Sequence, residues 1–413
     1  MGKSAYIIFQ RCRAIETKRW QYCQVYQNTD HIAQMYTTTN DACALVVPGA
    51  EKARILVIRL KNVSDIVLTS VLCNSLKQTF PKARVDFLVP EHGAELFANH
   101  PFIDQVIALS PKQLSNPFSY YGVIKEITND GYDLVVDAQA TLKSELVSLL
   151  ARKHAICIGR KTRGLGYFYT HSVEIANLVS NKADDCLKLL RPLEIMGFDV
   201  QRDQEMRVTV PRGLAKRYQR MMSDRGVDFS RPVFAFSVTA SLDFKKWRMD
   251  YLEEVVTYCL QTFNAQVVLN AGSAKERSEV RAFVERIGKH KDVYFEIETS
   301  NLMDLAALFT NCDLYIGNEG GPSHIAQAAG IPSVSIFSPS AKKCEWLPRD
   351  SREHQGVEWD DLVDSPAEEK FLTHKALEVG SKQYAELYSK ITPQPVIERI
   401  DDVTHFVGIQ RSD

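Results

Sequence analysis

The sequence predicts an α/β protein built from two doubly wound parallel sheets. Three observations carry that expectation. Short apolar runs of strand length alternate with segments of helical period, the alternation breaks down near residues 200–230 and then resumes, and 413 residues suffice for two such units plus an appendage.

Residues 1–50, rich in Gln, Thr, Tyr and Cys, show no sustained period before Pro48-Gly49 and read as an extension of unknown role. The first unit is expected over residues 51–210. Ile55-Leu56-Val57-Ile58 is a buried-strand run, a polar loop follows, and Ile66, Val67, Val71, Leu72 and Leu76 recur at helical spacing up to Phe80-Pro81. Further strands are expected at Arg84–Val89, Val106–Leu109 and Asp133–Asp137. Pro211, Gly213, Gly226 and Pro232 punctuate the change to a second unit over residues 211–383, with strands at Val233–Phe236, Gln266–Leu269, Asp313–Ile316 and Ser333–Phe337 and a helix at Leu302–Phe309. Residues 350–383 read as acidic and irregular, and residues 384–413 as a terminal helix packing back on the first unit.

A formal net charge of -1 removes any global bias toward nucleic acid, so an anionic partner has to meet a local patch. The nine cysteines (12, 23, 43, 73, 157, 186, 259, 312 and 344) include no Cys-x-x-Cys pair and read as reduced, mostly buried thiols. Tyr6-Ile7-Ile8-Phe9 is cut short by Gln10, Arg11 and Arg13, well before a signal-peptide core would be complete, and no run reaches membrane-spanning length. A soluble cytoplasmic chain is expected, with peripheral attachment at the inner face of the cytoplasmic membrane left open.

Chemistry is expected in the loops that leave the carboxyl ends of the strands, where open α/β sheets bind ligands. Leu60-Lys61-Asn62-Val63-Ser64-Asp65 is the first, and there Asp65 reads as a helix cap or as a general base. It lacks Gly-x-Gly-x-x-Gly, the dinucleotide fingerprint. Gly317-Asn318-Glu319-Gly320-Gly321-Pro322-Ser323-His324 follows a strand and opens an Ala-rich helix, so Gly320 and Gly321 can bring backbone amides to a phosphate; the plainer reading is a glycine-dependent turn with His324 facing the core. Ser237, Thr239, Lys245 and Trp247 form a third cluster that could hold a diphosphate and wall its pocket, or could be a solvated lysine pair beside a packing tryptophan. Gly272 and Glu276 lie in a loop where a base or ribose could rest, and Arg152–His171 holds Arg160 and Arg163 in a basic stretch suited to an acidic acceptor. No His, Cys or carboxylate accompanies these loops at metal-ligand spacing.

Together the blocks resemble glycosyltransferase family nine, the ADP-heptose:lipopolysaccharide heptosyltransferases, over roughly residues 54–348. Arg54–Leu76 is similar to the family's opening strand, loop and helix, Asp137-Ala138-Gln139-Ala140 to its Asp-x-Gln-Gly segment, and Lys245-Lys246-Trp247 to its Lys-x-Trp loop. Asn318–Ala326 is similar to its Asp-(Thr/Ser)-Gly-x-x-His loop, and Phe337-Ser338-Pro339 with Trp346-Leu347-Pro348 to its closing signature. The resemblance implies the GT-B architecture of two Rossmann-like domains facing across a cleft, and inverting transfer of heptose from ADP-heptose to the lipopolysaccharide inner core without metal or cofactor. Asp65 is then the base. Lys245 with the Gly320 and Gly321 amides meets the leaving diphosphate, and Ser237, Thr239, Trp247, Gly272, Glu276, Glu319 and His324 complete the donor site. Lys61, Lys143, Arg160 and Arg163 are implied on the acceptor side. The sequence departs from the family at Ser64 and Ala140, where glycine is usual, and at Glu319-Gly320 in place of Asp-(Thr/Ser). Another nucleotide sugar, an epimerase, or a catalytically silent glycan-binding relative remain the alternative readings.

Overall fold

The computed structural model describes residues 52–161, 168–175, 179–362 and 378–412. The first sheet contains β1 (Arg54–Ile58), β2 (Arg84–Pro90), β3 (Gln105–Leu109), β4 (Leu134–Asp137), β5 (Ile156–Arg160) and β6 (His171–Val173), in the order β3-β2-β1-β4-β5-β6. In the second sheet β7 (Val233–Ser237), β8 (Gln266–Leu269), β9 (Val293–Tyr294), β10 (Leu314–Asn318), β11 (Ser333–Ile336) and β12 (His354–Val357) run in the order β12-β11-β10-β7-β8-β9. Reversed, the second order is the first again, and every described pairing is parallel. Each sheet therefore has a topological switch point, between β1 and β4 and between β7 and β10, where the chain's crossovers part and leave a crevice.

Buried strands in parallel sheets read as near-continuous apolar runs because helices cover both faces. Ile55–Ile58 and Phe234–Phe236 are accordingly almost fully buried. Helix α1 (Val63–Thr79) follows β1 and packs against helix α2 (Gly321–Ala328), which follows β10, so the two domains meet through the helices that leave their central strands. One apolar core runs through this junction, from Ile55, Val57 and Leu72 in the first domain to Ile325, Ala326 and Tyr315 in the second.

Two expectations need correction. The segment after residue 350 is not irregular throughout: His354–Val357 forms β12 at the edge of the second sheet. The terminal helix α3 (Pro393–Val407) packs on the second domain, not the first, since its apolar face (Val396, Ile400, Val403) joins Phe234, Leu314 and Val334 in one core. That stripe at helical spacing needs an apolar surface, and the outer face of the second sheet supplies it.

Candidate active site

Between the domains lies a cavity of about 540 Å³, bounded by Asn62, Val63, Ser64 and His92 on one side and by the loops after β7, β8 and β10 on the other. The N-termini of α1 and α2 both open onto it. Neither carries a side-chain cap: Asn62 makes no capping hydrogen bond, and Gly320 stands at the N-cap of α2. Their first amides and the positive ends of both helix dipoles are therefore directed at the space where an anion would sit. Gly320 holds φ 155° and ψ -164°, a combination essentially confined to glycine. A Cβ on Gly321 would stand 3.4 Å from Val63 Cβ, in van der Waals contact with the start of α1.

Lys245 is the lysine that lines the cavity among the described residues, and its ammonium lies 2.7 Å from the Glu319 carboxylate. Glu319 is buried, and burial raises its pKa, with Lys245 and a hydrogen bond from Ser338 opposing the rise. Lys246 points away, to Glu279 and Asp243. Asn318 ties the loops together: its carbonyl oxygen accepts the Trp247 amide at 2.9 Å and the Tyr388 hydroxyl at 3.3 Å, and its amide donates to Thr239 O at 3.3 Å. Tyr388 also donates to Lys245 O at 3.0 Å, so the C-terminal segment helps to set the backbone of the lysine loop.

Of the residues that the sequence offered for a donor site, Ser237, Thr239, Gly272, Glu276, Glu319, Gly320 and Gly321 line the cavity with Lys245. Glu276 is occupied in part by its own helix, accepting the Gly272 and Ser273 amides at 2.8 Å each in a capping box. Two residues offered for the donor site follow their plainer reading as packing residues. Trp247 is buried in the second core, its indole N–H donating to Ile391 O at 2.8 Å, and does not face the cavity. His324 is buried against Trp346, with Nδ1 3.3 Å from Gln327 Oε1, and burial lowers its pKa to about 4. An indole and a neutral imidazole both gain more from that apolar packing than from a solvated wall.

Asp65 sits in the first turn of α1, one residue beyond Ser64, and is not part of the cavity wall. It is not a cap. Its carboxylate pairs with Arg59, whose guanidinium also donates to Ala138 O, while Gln139 accepts the Leu60 amide at 2.5 Å and donates to Thr141 at 2.9 Å. The carboxylate of Asp137 organises this second loop, accepting the Gln139 and Ala140 amides at 2.9 and 3.1 Å and the Tyr169 hydroxyl at 2.7 Å. Asp137 is fully buried, which raises its pKa, and those same hydrogen bonds resist the rise.

Of the acceptor-side residues, Lys61 is exposed in the loop beside α1, whereas Lys143 is turned to Leu114 O at 2.7 Å and Arg160 to Ile175 O at 3.3 Å; Arg163 lies outside the described residues. Lys143 and Arg160 are thus engaged with backbone oxygens of their own domain. Sequence reasoning missed Arg59, His92, Leu302, Leu305 and Tyr315. Arg59 was legible in principle, as the charged residue that ends a buried strand beside a loop carboxylate. The others become visible only when β2, β8, β10 and the helix Leu302–Phe309 are brought to one crevice. Among the described residues no group of three His, Cys, Asp or Glu could hold a metal.

Known proteins share this architecture. The family profile described as glycosyltransferase family 9 (heptosyltransferase) matches residues 121–353. Lipopolysaccharide heptosyltransferase 3 of Escherichia coli K12 is 26% identical over 286 residues, covering 66% of this chain and 79% of that protein. A solved glycosyl transferase family 9 structure from Veillonella parvula DSM 2008 superposes with a TM-score of 0.71 at 19% identity, covering 85% of this chain and 97% of the other. The structure of E. coli ADP-heptose lps heptosyltransferase II superposes with a TM-score of 0.66 at 18% identity, covering 86% and 99%. With more than half of its length matched by the family profile and both Rossmann-like domains in place, this chain belongs to glycosyltransferase family 9.

Proposed function

We propose that the protein transfers heptose from ADP-heptose to a sugar of the lipopolysaccharide inner core, with inversion, using Asp65 as general base and no divalent ion. The observation that carries this reading is the pair of uncapped helix N-termini facing one cavity together with Lys245, and Asp65 standing just outside it on the first-domain side. The donor's diphosphate rests on the Gly320 and Gly321 amides and Lys245; its nucleoside extends along Leu242, Asn270, Gly272 and Leu302. An acceptor hydroxyl reaches the anomeric carbon past Asp65, which removes the proton as the bond to the diphosphate oxygen breaks on the opposite face. Charge then grows on ADP, where Lys245 and the amides are already directed. Arg59 fixes the orientation of the Asp65 carboxylate. The names of the E. coli relatives support this donor and acceptor.

A second reading has its own observation: Lys245 is already paired with Glu319, a carboxylate in the donor pocket. That pairing suits a donor whose charge or sugar differs from ADP-heptose, or a relative that binds glycans without transfer.

The test is product analysis with purified protein, ADP-heptose and a defined inner-core acceptor in the presence of chelator. Transfer with inverted configuration is expected, and Asp65→Asn should keep donor affinity while losing about a hundredfold or more in turnover, the range for a positioned base. Turnover that survives in Asp65→Asn removes Asp65 from the mechanism, and activity that needs added magnesium or manganese removes the metal-free reading.

A further inference from the structure

On the face of the first sheet turned away from the second domain, two helices begin side by side at the sheet's carboxyl edge. They are Pro117–Asn129, after β3, and Leu142–Ala151, after β4; because the strands are parallel, both start at the edge that carries the Asp65 loop. Their inner faces pack together through Tyr120, Ile124, Val147 and Ala151, and the Tyr120 hydroxyl donates to Lys143 O at 2.6 Å. Their outer starts expose large apolar groups: Phe118 is 90% exposed, Leu142 67% and Tyr121 47%.

Single exposed apolar residues need no explanation, but three at one edge do. Their electrostatic setting narrows the partner. Segments 110–121 and 138–144 carry Lys112 and Lys143, both exposed, and no Asp or Glu; Glu145, in the first turn of the second helix, is fully buried, and the first carboxylate along the first helix is Glu126, more than two turns in from Phe118. Apolar tips beside exposed lysines, with the one acid of these helix starts buried, match the boundary of an anionic leaflet, where rings and aliphatic chains enter the headgroup layer and ammonium groups meet phosphate. No described helix is long and apolar enough to cross a membrane, so such contact would be peripheral.

We infer that the rim formed by Phe118, Tyr121 and Leu142 with Lys112 and Lys143 is a docking surface for an anionic lipid leaflet. Its place in the fold gives it a purpose. The loop that leads into Leu142 is hydrogen-bonded through Ala138 O to Arg59, the partner of Asp65, so a leaflet seated on the rim lies beside the side of the cleft from which an acceptor reaches Asp65. This surface deepens the proposed function, since a lipid-borne acceptor is what the rim would bring near, but the docking itself can be tested without any transfer.

The experiment is flotation of the full chain with phosphatidylcholine vesicles that contain or lack phosphatidylglycerol. Binding is expected with phosphatidylglycerol, weakening as salt is added, and the double variant Phe118→Ser/Leu142→Ser should bind about tenfold or more weakly, because it removes the inserting groups. Both positions are exposed, so its thermal unfolding should match the parent. The same variant should retain turnover on a water-soluble deacylated acceptor while losing it on acceptor embedded in vesicles. Undiminished vesicle binding by the double variant, or no binding by the parent chain, overturns the docking surface. Absence of transfer to any acceptor, with vesicle binding intact, instead overturns the functional reading and leaves the surface standing.

Discussion

The Lys245 ammonium lies 2.7 Å from the Glu319 carboxylate, and both line the cavity in which a diphosphate is proposed to bind. Glu319 is the more buried partner, with its side chain 7% exposed against 25% for Lys245, so the lysine is the member that can turn toward a ligand. A diphosphate arriving at Lys245 has to compete with Glu319, and the carboxylate left behind has to find a proton or Ser338. Glu319→Gln should therefore tighten binding of ADP and pyrophosphate alike, by roughly three- to tenfold, because it removes the competitor and keeps the shape. Lys245→Met should weaken both and also cost on the order of 2 kcal/mol of stability, since a buried carboxylate loses its cation. Titration calorimetry and denaturant unfolding of the two variants measure these effects. Weaker pyrophosphate binding in Glu319→Gln would mean that the pair holds the loop in shape and does not compete with the ligand.

Gly321 begins α2 facing the other domain, with space for a Cβ in van der Waals contact and little beyond it. Its missing Cβ points at Val63 Cβ, 3.4 Å away, so the first atoms of a larger side chain meet α1. Gly321→Val should wedge the two helix N-termini apart and lower affinity for ADP by about tenfold or more. If steric separation is the cause, Val63→Ala in the same chain should restore much of the loss. A double variant as weak as Gly321→Val alone would instead point to direct obstruction of the phosphate by the new side chain.

Ala140 occupies a position where the resemblance implies glycine, and its backbone lies in the left-handed region that favours glycine: φ is 55°. A Cβ in the left-handed region costs about 1 kcal/mol. The conformation is nevertheless held, because the Ala140 amide donates to buried Asp137 at 3.1 Å and Gln139 is committed to Leu60 and Thr141. Ala140→Gly relieves that strain and gives back part of the gain as unfolded-chain entropy, so a net stabilisation of about 0.5 kcal/mol is expected in denaturant unfolding. Destabilisation would show that the Ala140 methyl makes a packing contact worth more than the strain.

How much of this was legible in the sequence follows from how local each feature is. Central strands announce themselves, since Ile55–Ile58 and Phe234–Phe236 are buried on both faces and need only apolar residues. Edge strands do not: β12 reads His-Gln-Gly-Val and gains its identity from pairing with β11. The glycine loop at 320–321 was readable as an uncapped helix start, because that geometry rests on backbone, which glycine and the following helix specify within a few residues. Trp247 stayed open between a pocket wall and a packing residue because its indole partner, Ile391, lies 144 residues away on a C-terminal segment whose packing nothing local predicts. The Glu319–Lys245 pair escaped for the same reason, two loops of different strands meeting only at a switch point.

Stability should fall in acid through two histidines that the fold keeps neutral. His324 and His100 are 3% and 4% exposed, and both have pKa values lowered from 6.5 to about 4. Burial is the leading cause in each case, aided at His100 by the charge of Arg207 and opposed at His324 by the hydrogen bond to Gln327. At His100 the ring nitrogen Nδ1 accepts the Phe102 amide at 3.3 Å, a bond that protonation there would break. Below pH 6.5 the unfolded chain takes up protons that the folded chain refuses until about pH 4, so the unfolded state gains as pH drops through that window. Each histidine can remove up to about 1.4 kcal/mol per pH unit there. Asp137, Glu319 and Glu358, whose pKa values burial raises, act in the opposite sense, which makes the difference between chains the quantity to measure. His100 lies between the rings of Phe97 and Phe102, at 5.8 and 6.1 Å, so His100→Phe suits the site while removing one titrating group. Between pH 6.5 and 4.5 the stability of His100→Phe should fall less steeply than that of the parent, by as much as about 1.4 kcal/mol per pH unit, in denaturant unfolding at fixed ionic strength. Parallel stability curves for the two chains would show that His100 is protonated in the folded state as readily as in the unfolded one.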